Sequence, residues 1–300
     1  MKIGVIGLGN IFQKAYLPVI SENRDGIEYY FATKNNETKI KLRERYGFTH
    51  FCSTLDELIE EGIEACFIHS ATVAHFNVAK KCLELGIHVF MDKPLSESFS
   101  EASQLLELAR DKQLVLMTGL NRRFAPSVGK LKSLEGKRVI YLEKNREFAE
   151  FTPKFAINDM FLHLVDTAVY LLDSPNVTIS YSKLIGDDVL EYAVVHLETD
   201  KTMAIVSMDM KSGAHTETFR ATSPSGVMTV TNLSQVSLET PMSVNNLSVS
   251  DWTPTLATRG FDTMVTSFLE FLKTGDKNNL KQENILLSHF ICEKILLAQS

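Results

Sequence analysis

The chain has 300 residues, which suits two domains at about 150 residues each. An apolar share of 44% supports ordinary cores, and a net charge of −6 excludes the basic face that a nucleic-acid partner requires. Four cysteines without metal or redox spacing read as reduced thiols of a cytoplasmic protein, and the lack of an apolar run of about 18 residues predicts no membrane span.

Residues 3–6 are a short apolar run that reads as a buried strand. It ends in Gly7-x-Gly9, and a helical pattern follows from Asn10 and Ile11. This is the strand, turn and helix start of a dinucleotide-binding βαβ unit. The second glycine lets a pyrophosphate approach the backbone, and the helix N-terminus offers N–H groups to it. The position of the third glycine in that fingerprint holds Phe12, which predicts looser or shifted packing of helix on strand. The glycine turn also breaks the N-terminal apolar run, which excludes a signal peptide.

Further strands are expected at 27–33, 64–69, 88–91 and 114–118. Helices are expected at 37–46, 54–61, 74–85 and 98–112, with capping boxes at Thr54/Glu57 and Ser98/Glu101 and closing glycines at Gly47 and Gly86. Strands separated by single helices predict an α/β, doubly wound parallel sheet of Rossmann type over residues 1–119. After its second strand, Phe31-Ala32-Thr33-Lys34-Asn35-Asn36 lacks the acid that holds ribose hydroxyls in NAD enzymes. Thr33, Lys34 and Asn35 suit a 2′-phosphate instead. NADP(H) is therefore expected over NAD(H), unless Lys34 points to solvent. Lys93 comes just after the strand 88–91, at the carboxyl edge where ligands bind, and Pro94 restrains its backbone.

Residues 120–300 read as an α+β domain with an open, mostly antiparallel sheet. Its strands are expected at 138–146, 178–185, 190–198, 203–210, 217–222 and 227–231, with a helix at 159–172 and a helical tail at 261–298 broken at Gly275. Val194, His196, Ile205 and Met208 give the sheet mixed faces. A second copy packing there predicts a homodimer or higher homo-oligomer, and a solvated outer face is the alternative. On the helix, Asp159, His163 and Asp166 fall within roughly 60° of one another, and Tyr170 shares their side. Met160, Phe161, Leu164, Ala168, Leu171 and Leu172 form the opposite, apolar stripe. A histidine between carboxylates suits a general base; a plain solvated face is the other reading. No further ligand cluster accompanies it, so no metal is expected.

Gly7-x-Gly9, Ala71-Thr72 with His75, Asp92-Lys93-Pro94 and Asp159-x-x-x-His163-x-x-Asp166 stand in the order seen in the Gfo/Idh/MocA oxidoreductases. The chain resembles that family over its whole length, near its small, virulence-factor-like bacterial branch. The resemblance implies NAD(P)-dependent oxidation or reduction of a sugar, polyol or related hydroxy compound. It adds Ser70, Ala71, Thr72, His75 and Asp92 to the cofactor side. It makes Lys93 a contact of both substrate and nicotinamide ribose, His163 the acid–base residue and Asp159 its companion. Asp92 replaces the family's usual Glu, and Val73 a common Pro.

The expected mechanism has the substrate hydroxyl between Lys93 and His163. The histidine removes its proton as hydride passes to the nicotinamide, and the lysine stabilises the alkoxide. Asn121 and Arg122 are further candidate substrate contacts. Arg122 and Arg123 suit a carboxylate or phosphate, or equally an interdomain ion pair. The rival reading is a non-catalytic nucleotide-sensing or binding protein of the same fold.

Overall fold

The computed structural model describes residues 1–298, and the chain divides into two compact units. The first comprises Met1–Gly119 and Phe261–Gln282; the second comprises Leu120–Gly260 and the segment from Glu283 onward. The helix Phe261–Thr274, expected within the 120–300 domain, thus belongs to the first unit. Its rings explain this. Phe268 packs edge-on against Phe67 at 5.4 Å and on Phe90 at 5.5 Å, and Phe261 meets Tyr16 edge-on at 5.5 Å. The helix buries strand side chains that the segment 1–119 alone would leave in water.

The first unit runs β1 (Lys2–Ile6), α1 (Leu17–Glu22), β2 (Glu28–Ala32), α2 (Asn36–Tyr46), β3 (His50–Cys52), α3 (Leu55–Glu60), β4 (Ala65–Ile68), α4 (Thr72–Glu84), β5 (His88–Asp92), α5 (Phe99–Asp111) and β6 (Leu116–Gly119). All six strands are parallel, in the order β3-β2-β1-β4-β5-β6. The order reverses between β1 and β4, so the loops after these two strands flank the crevice where such sheets bind ligands. The caps form as read: Thr54 and Ser98 accept from the backbone N–H of Glu57 and Glu101, and Gly47 closes α2 at φ 69°. Strand β3 was not expected; its three residues are too short to show alternation.

Phe12 shifts the packing of the first turn and does not loosen it. It is fully buried against Phe31 and His69. The helix accommodates the ring by opening into a π-helical turn over Phe12–Tyr16, before α1 begins. A π turn holds an extra residue and is wider than an α turn.

The second unit contains α6 (Pro126–Ser133), β7 (Val139–Glu147), α7 (Pro153–Ala156), a π-helical turn (Ile157–Phe161) and α8 (Leu162–Leu172). Then follow β8 (Thr178–Ile185), β9 (Tyr192–Glu198), β10 (Met203–Ser212), β11 (Thr216–Ser223), β12 (Gly226–Thr231), β13 (Gln235–Thr240) and β14 (Ser243–Asn246). The sheet order is β14-β13-β12-β11-β7-β10-β9-β8. The β7–β10 pair is parallel because the helical segment intervenes, and the other pairs are antiparallel. The last two strands escape the sequence pattern because they are short and largely polar, and β14, at the sheet edge, is exposed throughout.

The helical stretch Pro153–Leu172 is, among the described residues, long and apolar enough to cross a membrane by composition alone. Its apolarity has another cause here. It packs against β7, β10 and the helix Ile285–Leu297, so it is buried on nearly every side.

Candidate active site

In the first unit, Gly7 has φ +87°, and a Cβ there would lie 2.2 Å from the backbone of His69 and Ser70. Only glycine fits that turn. Gly9 differs: a Cβ on it would meet open space, so protein packing does not demand the glycine, whereas a ligand lying on the backbone would. Asn10 and Ile11 are exposed beside it. Gln13, which the sequence did not flag, donates from Nε2 to the Leu8 carbonyl (3.0 Å) and accepts from Lys41 Nζ (2.6 Å), bracing the glycine turn against α2. In the loop after β2, Lys34 is exposed. The Thr33 hydroxyl accepts from the Asn35 N–H, and the Asn35 side chain caps α2 through the Thr38 N–H.

The loop after β4 carries Ser70, Ala71 and Thr72. The Ser70 hydroxyl is buried without a hydrogen-bond partner, and Val73 is 84% exposed. His75 is buried, with Nδ1 2.7 Å from the Pro94 carbonyl and Nε2 3.0 Å from the Ser70 carbonyl. The ring therefore sits between the β4 and β5 loops, a backbone carbonyl of each facing one of its nitrogens. An orphaned hydroxyl, open space over Gly9 and exposed apolar groups at Ile11 and Val73 fit a dinucleotide at this edge.

Asp92, at the end of β5, is buried and accepts from the Tyr16 hydroxyl (2.9 Å) and the Lys93 N–H (2.9 Å). Burial pushes its carboxyl up, while Lys93 and the Tyr16 hydrogen bond oppose the rise. Tyr16 comes from the π-helical turn, and its contact with Asp92 is one the sequence pattern could not show. His69 stacks on Tyr16 with ring centroids 4.0 Å apart, and burial lowers its imidazole to about 3, which keeps it neutral.

Replacing Tyr16 by Phe removes one donor from Asp92 and should destabilise the protein by about 1–3 kcal/mol. The raised Asp92 carboxyl binds protons more readily folded than unfolded. Its contribution to stability is therefore full below the unfolded value and is lost as pH rises through the folded one. The variant, with a donor to the ionised form gone, should show its largest deficit at neutral pH and a smaller one as pH falls toward 4. Urea midpoints across that range check it; a pH-independent deficit would contradict the assignment.

In the second unit, residues 157–172 are buried except for Asp159 and His163, which are half-buried. Asp159 lies in the π-helical turn and His163 in the first turn of α8. Asp166 does not share their face, contrary to the helical-wheel expectation. It is fully buried and takes two hydrogen bonds from Arg123, at 2.8 and 2.7 Å, and one from Ser288, at 2.9 Å. A helix enclosed on nearly all sides leaves a narrow window, and a rotation of about 60° suffices to enter the core. Tyr170 is likewise buried, with the Lys132 ammonium over its ring at 4.5 Å.

The two arginines weighed as anion contacts are both committed within this unit. Arg122 grips Glu217 with Nε and, at 2.8 Å, a second guanidinium nitrogen. Asn121 is buried and donates to the Arg259 carbonyl (2.8 Å). Glu217 also accepts from Lys144 Nζ at 2.8 Å. Burial alone would raise the Glu217 carboxyl, but Arg122 and Lys144 hold it well below the carboxylate range.

A parallel sheet with a strand-order reversal, a glycine turn of this shape and a second unit built on an open sheet define a two-domain oxidoreductase of Rossmann type. The family model described as "Oxidoreductase family, NAD-binding Rossmann fold" matches residues 1–120, and the YceM-like C-terminal domain matches residues 129–241. A Gfo/Idh/MocA family oxidoreductase from Vibrio cholerae, known from its crystal structure, is 30% identical, with a TM-score of 0.88 over 100% of this chain and 99% of that one. The YceM protein of Salmonella typhimurium is 28% identical over 98% of this chain and 97% of its own. Myo-inositol 2-dehydrogenase of Thermotoga maritima is 32% identical over 44% of this chain and 40% of its own. The chain belongs to the Gfo/Idh/MocA oxidoreductase family.

Proposed function

We propose that the protein is an NAD(P)-dependent oxidoreductase acting on a CH–OH group of a sugar, polyol or related hydroxy or keto compound, with Lys93 and His163 at the reacting oxygen. The observation that carries this reading is the window in the 157–172 stretch, where only Asp159 and His163 escape burial. An acid and a histidine brought together at the one opening of an otherwise buried apolar helix suit proton transfer at a substrate hydroxyl. The inositol dehydrogenase relative supports a polyol class of substrate.

A bound nicotinamide supplies the hydride acceptor or donor. His163 takes the hydroxyl proton in oxidation and returns it in reduction. Lys93 stabilises the negative charge that develops on oxygen, and Asp159 orients the histidine or a second hydroxyl. Gly7, Gly9, Asn10 and Ile11 hold the pyrophosphate; Ser70, Ala71, Thr72 and Asp92 line the path toward the nicotinamide, and His75 fixes their loops.

For the nucleotide we propose NADP(H) over NAD(H), supported by the loop 31–36, which carries Thr33 and Lys34 and no acid. Thermal shifts with NADPH, NADP, NADH and NAD at equal concentration test the reading, because a ligand of the folded state raises stability with its concentration over Kd. Larger shifts with the phosphorylated pair are expected. Lys34→Glu should weaken that pair by about tenfold, equivalent to about 1.4 kcal/mol, and leave NADH unaffected. A larger shift with NADH in the unmodified protein would refute the preference; no shift with any of the four would refute the nucleotide site.

Four buried free cysteines support a reducing, cytoplasmic setting. The outer sheet face exposes Tyr141, Tyr181 and Tyr192 beside half-buried Val194 and Ile205, which supports a homo-oligomer packed through that face.

A further inference from the structure

The second unit holds a cationic cluster that the reaction as proposed does not use. Along β7, Ile140 and Leu142 are buried while Tyr141 and Glu143 are exposed, so Lys144 and Arg146 follow the buried parity, on the side where α8 packs. Lys144 stands in register with Glu217 of β11 and shares its carboxylate with Arg122. That one carboxylate is fully engaged. Arg146 is half-buried, its Nε is shielded from water, and its guanidinium makes no hydrogen bond or ion pair with any described residue. Burial, with the charges of Arg122 and Arg146, brings the Lys144 ammonium down to about 8.

A guanidinium cannot shed its proton to escape such a place. Leaving the buried Nε–H unmet is costly, and an anion is the natural complement of the group. Its planar fork matches a carboxylate or a phosphate, and a neighbouring ammonium adds a point charge.

The cluster also lies at the right end of the strand. The chain leaves β7 at Glu147 and enters α7 at Pro153, so the helical segment starts near the carboxyl end of β7. Its far end is tied back near the start of β7, where Lys132 of α6 pairs with Asp173 at 2.7 Å. The helical segment thus returns along β7, and α8, which carries His163 in its first turn, packs on β7 and β10, the helix-covered side of the sheet to which Lys144 and Arg146 belong.

We propose that the substrate carries an anionic group, a carboxylate or a phosphate, bound by Arg146 and Lys144 on the side of the sheet that carries His163. This rests on the reading of His163 as the acid–base residue only for calling the ligand a substrate; the anion site stands on its own geometry. Calorimetric titration of the full-length protein with gluconate, glucose 6-phosphate and neutral sorbitol at fixed ionic strength tests it. One anion should bind at least tenfold more tightly than sorbitol, and which one does so distinguishes carboxylate from phosphate. Arg146→Gln and Lys144→Gln should each remove about tenfold of that affinity, whereas Arg146→Lys should retain part of it. Arg146 makes no intramolecular bond, so its variants should keep the wild-type melting temperature and the nucleotide shift. Sorbitol binding as tightly as both anions, no binding of either anion at millimolar concentration, or an unaltered affinity in Arg146→Gln would overturn the proposal. Binding is read without turnover, so anion affinity that survives in His163→Ala alongside full turnover would sink the catalytic reading and leave the anion site standing.

Discussion

Replacing Arg123 by Met should destabilise the second unit by about 3–5 kcal/mol. Arg123 and Asp166 are both fully buried and joined by two parallel hydrogen bonds. Burial works against the charge on Arg123, but Asp166 more than offsets it and holds the guanidinium protonated. Arg123 also donates to the Glu283 carbonyl at 2.7 Å, and Ser288 donates to Asp166. One ion pair therefore fastens the turn Asn121–Phe124 to α8 and to the helix Ile285–Leu297. Removing the cation strands a carboxylate in the core with a single hydroxyl for company. The magnitude comes from that stranded charge more than from the lost contact. The double variant Arg123→Met, Asp166→Leu should therefore recover most of the loss, because a buried pair exchanged for apolar groups of similar volume is often neutral or better. Urea denaturation followed by circular dichroism measures both. A double variant as unstable as the single one would show that packing or the Glu283 bond, and not the unpaired charge, sets the cost.

Arg122 and Arg123 also show where sequence reading stops. As adjacent cations in Asn121-Arg122-Arg123 they look equivalent. A 3-10 turn sends one to Glu217 and the other to Asp166, residues 95 and 43 positions away. Nothing local announces either partner. The same holds for Tyr16, whose bond to Asp92 depends on a π turn that Phe12 occupies. What was legible was periodic or punctuated: the β1 run and its glycines, the capped helices, the strand that ends at Asp92-Lys93. Gly7 was readable because a backbone constraint acts at one position. Asp166 was misplaced because a helical wheel assigns polar residues to solvent, and it has no way to represent a helix enclosed by a sheet and a second helix. Lys144 and Arg146 gave only a weak signal, two cations at alternate positions of a strand whose preceding alternates, Ile140 and Leu142, are apolar. That pattern does point to charges on the buried side, and it can be sought in other strands.

The largest expected effect on activity is at His163. In His163→Ala, turnover should fall by about 10²- to 10⁴-fold, the usual contribution of a positioned acid–base group. The thermal shifts with the four nucleotides should stay as they are, since the nucleotide loops belong to the first unit. The melting temperature should change little, because the ring is half-buried. These controls separate a chemical loss from a structural one. A general base must be deprotonated to act, so the acid limb of the kcat/KM profile in the oxidation direction reports its ionisation, and that limb should vanish in the variant. Asp159→Asn gives a graded comparison. If Asp159 orients the imidazole, kcat falls and the acid limb shifts; if it binds a second hydroxyl, KM rises with kcat nearly unchanged. Unchanged turnover in His163→Ala would remove the histidine from the mechanism. Firm nucleotide binding without turnover of any sugar, polyol or hydroxy acid in the unmodified protein would favour a nucleotide-sensing role for the same fold, with the window at Asp159 and His163 serving recognition instead of proton transfer.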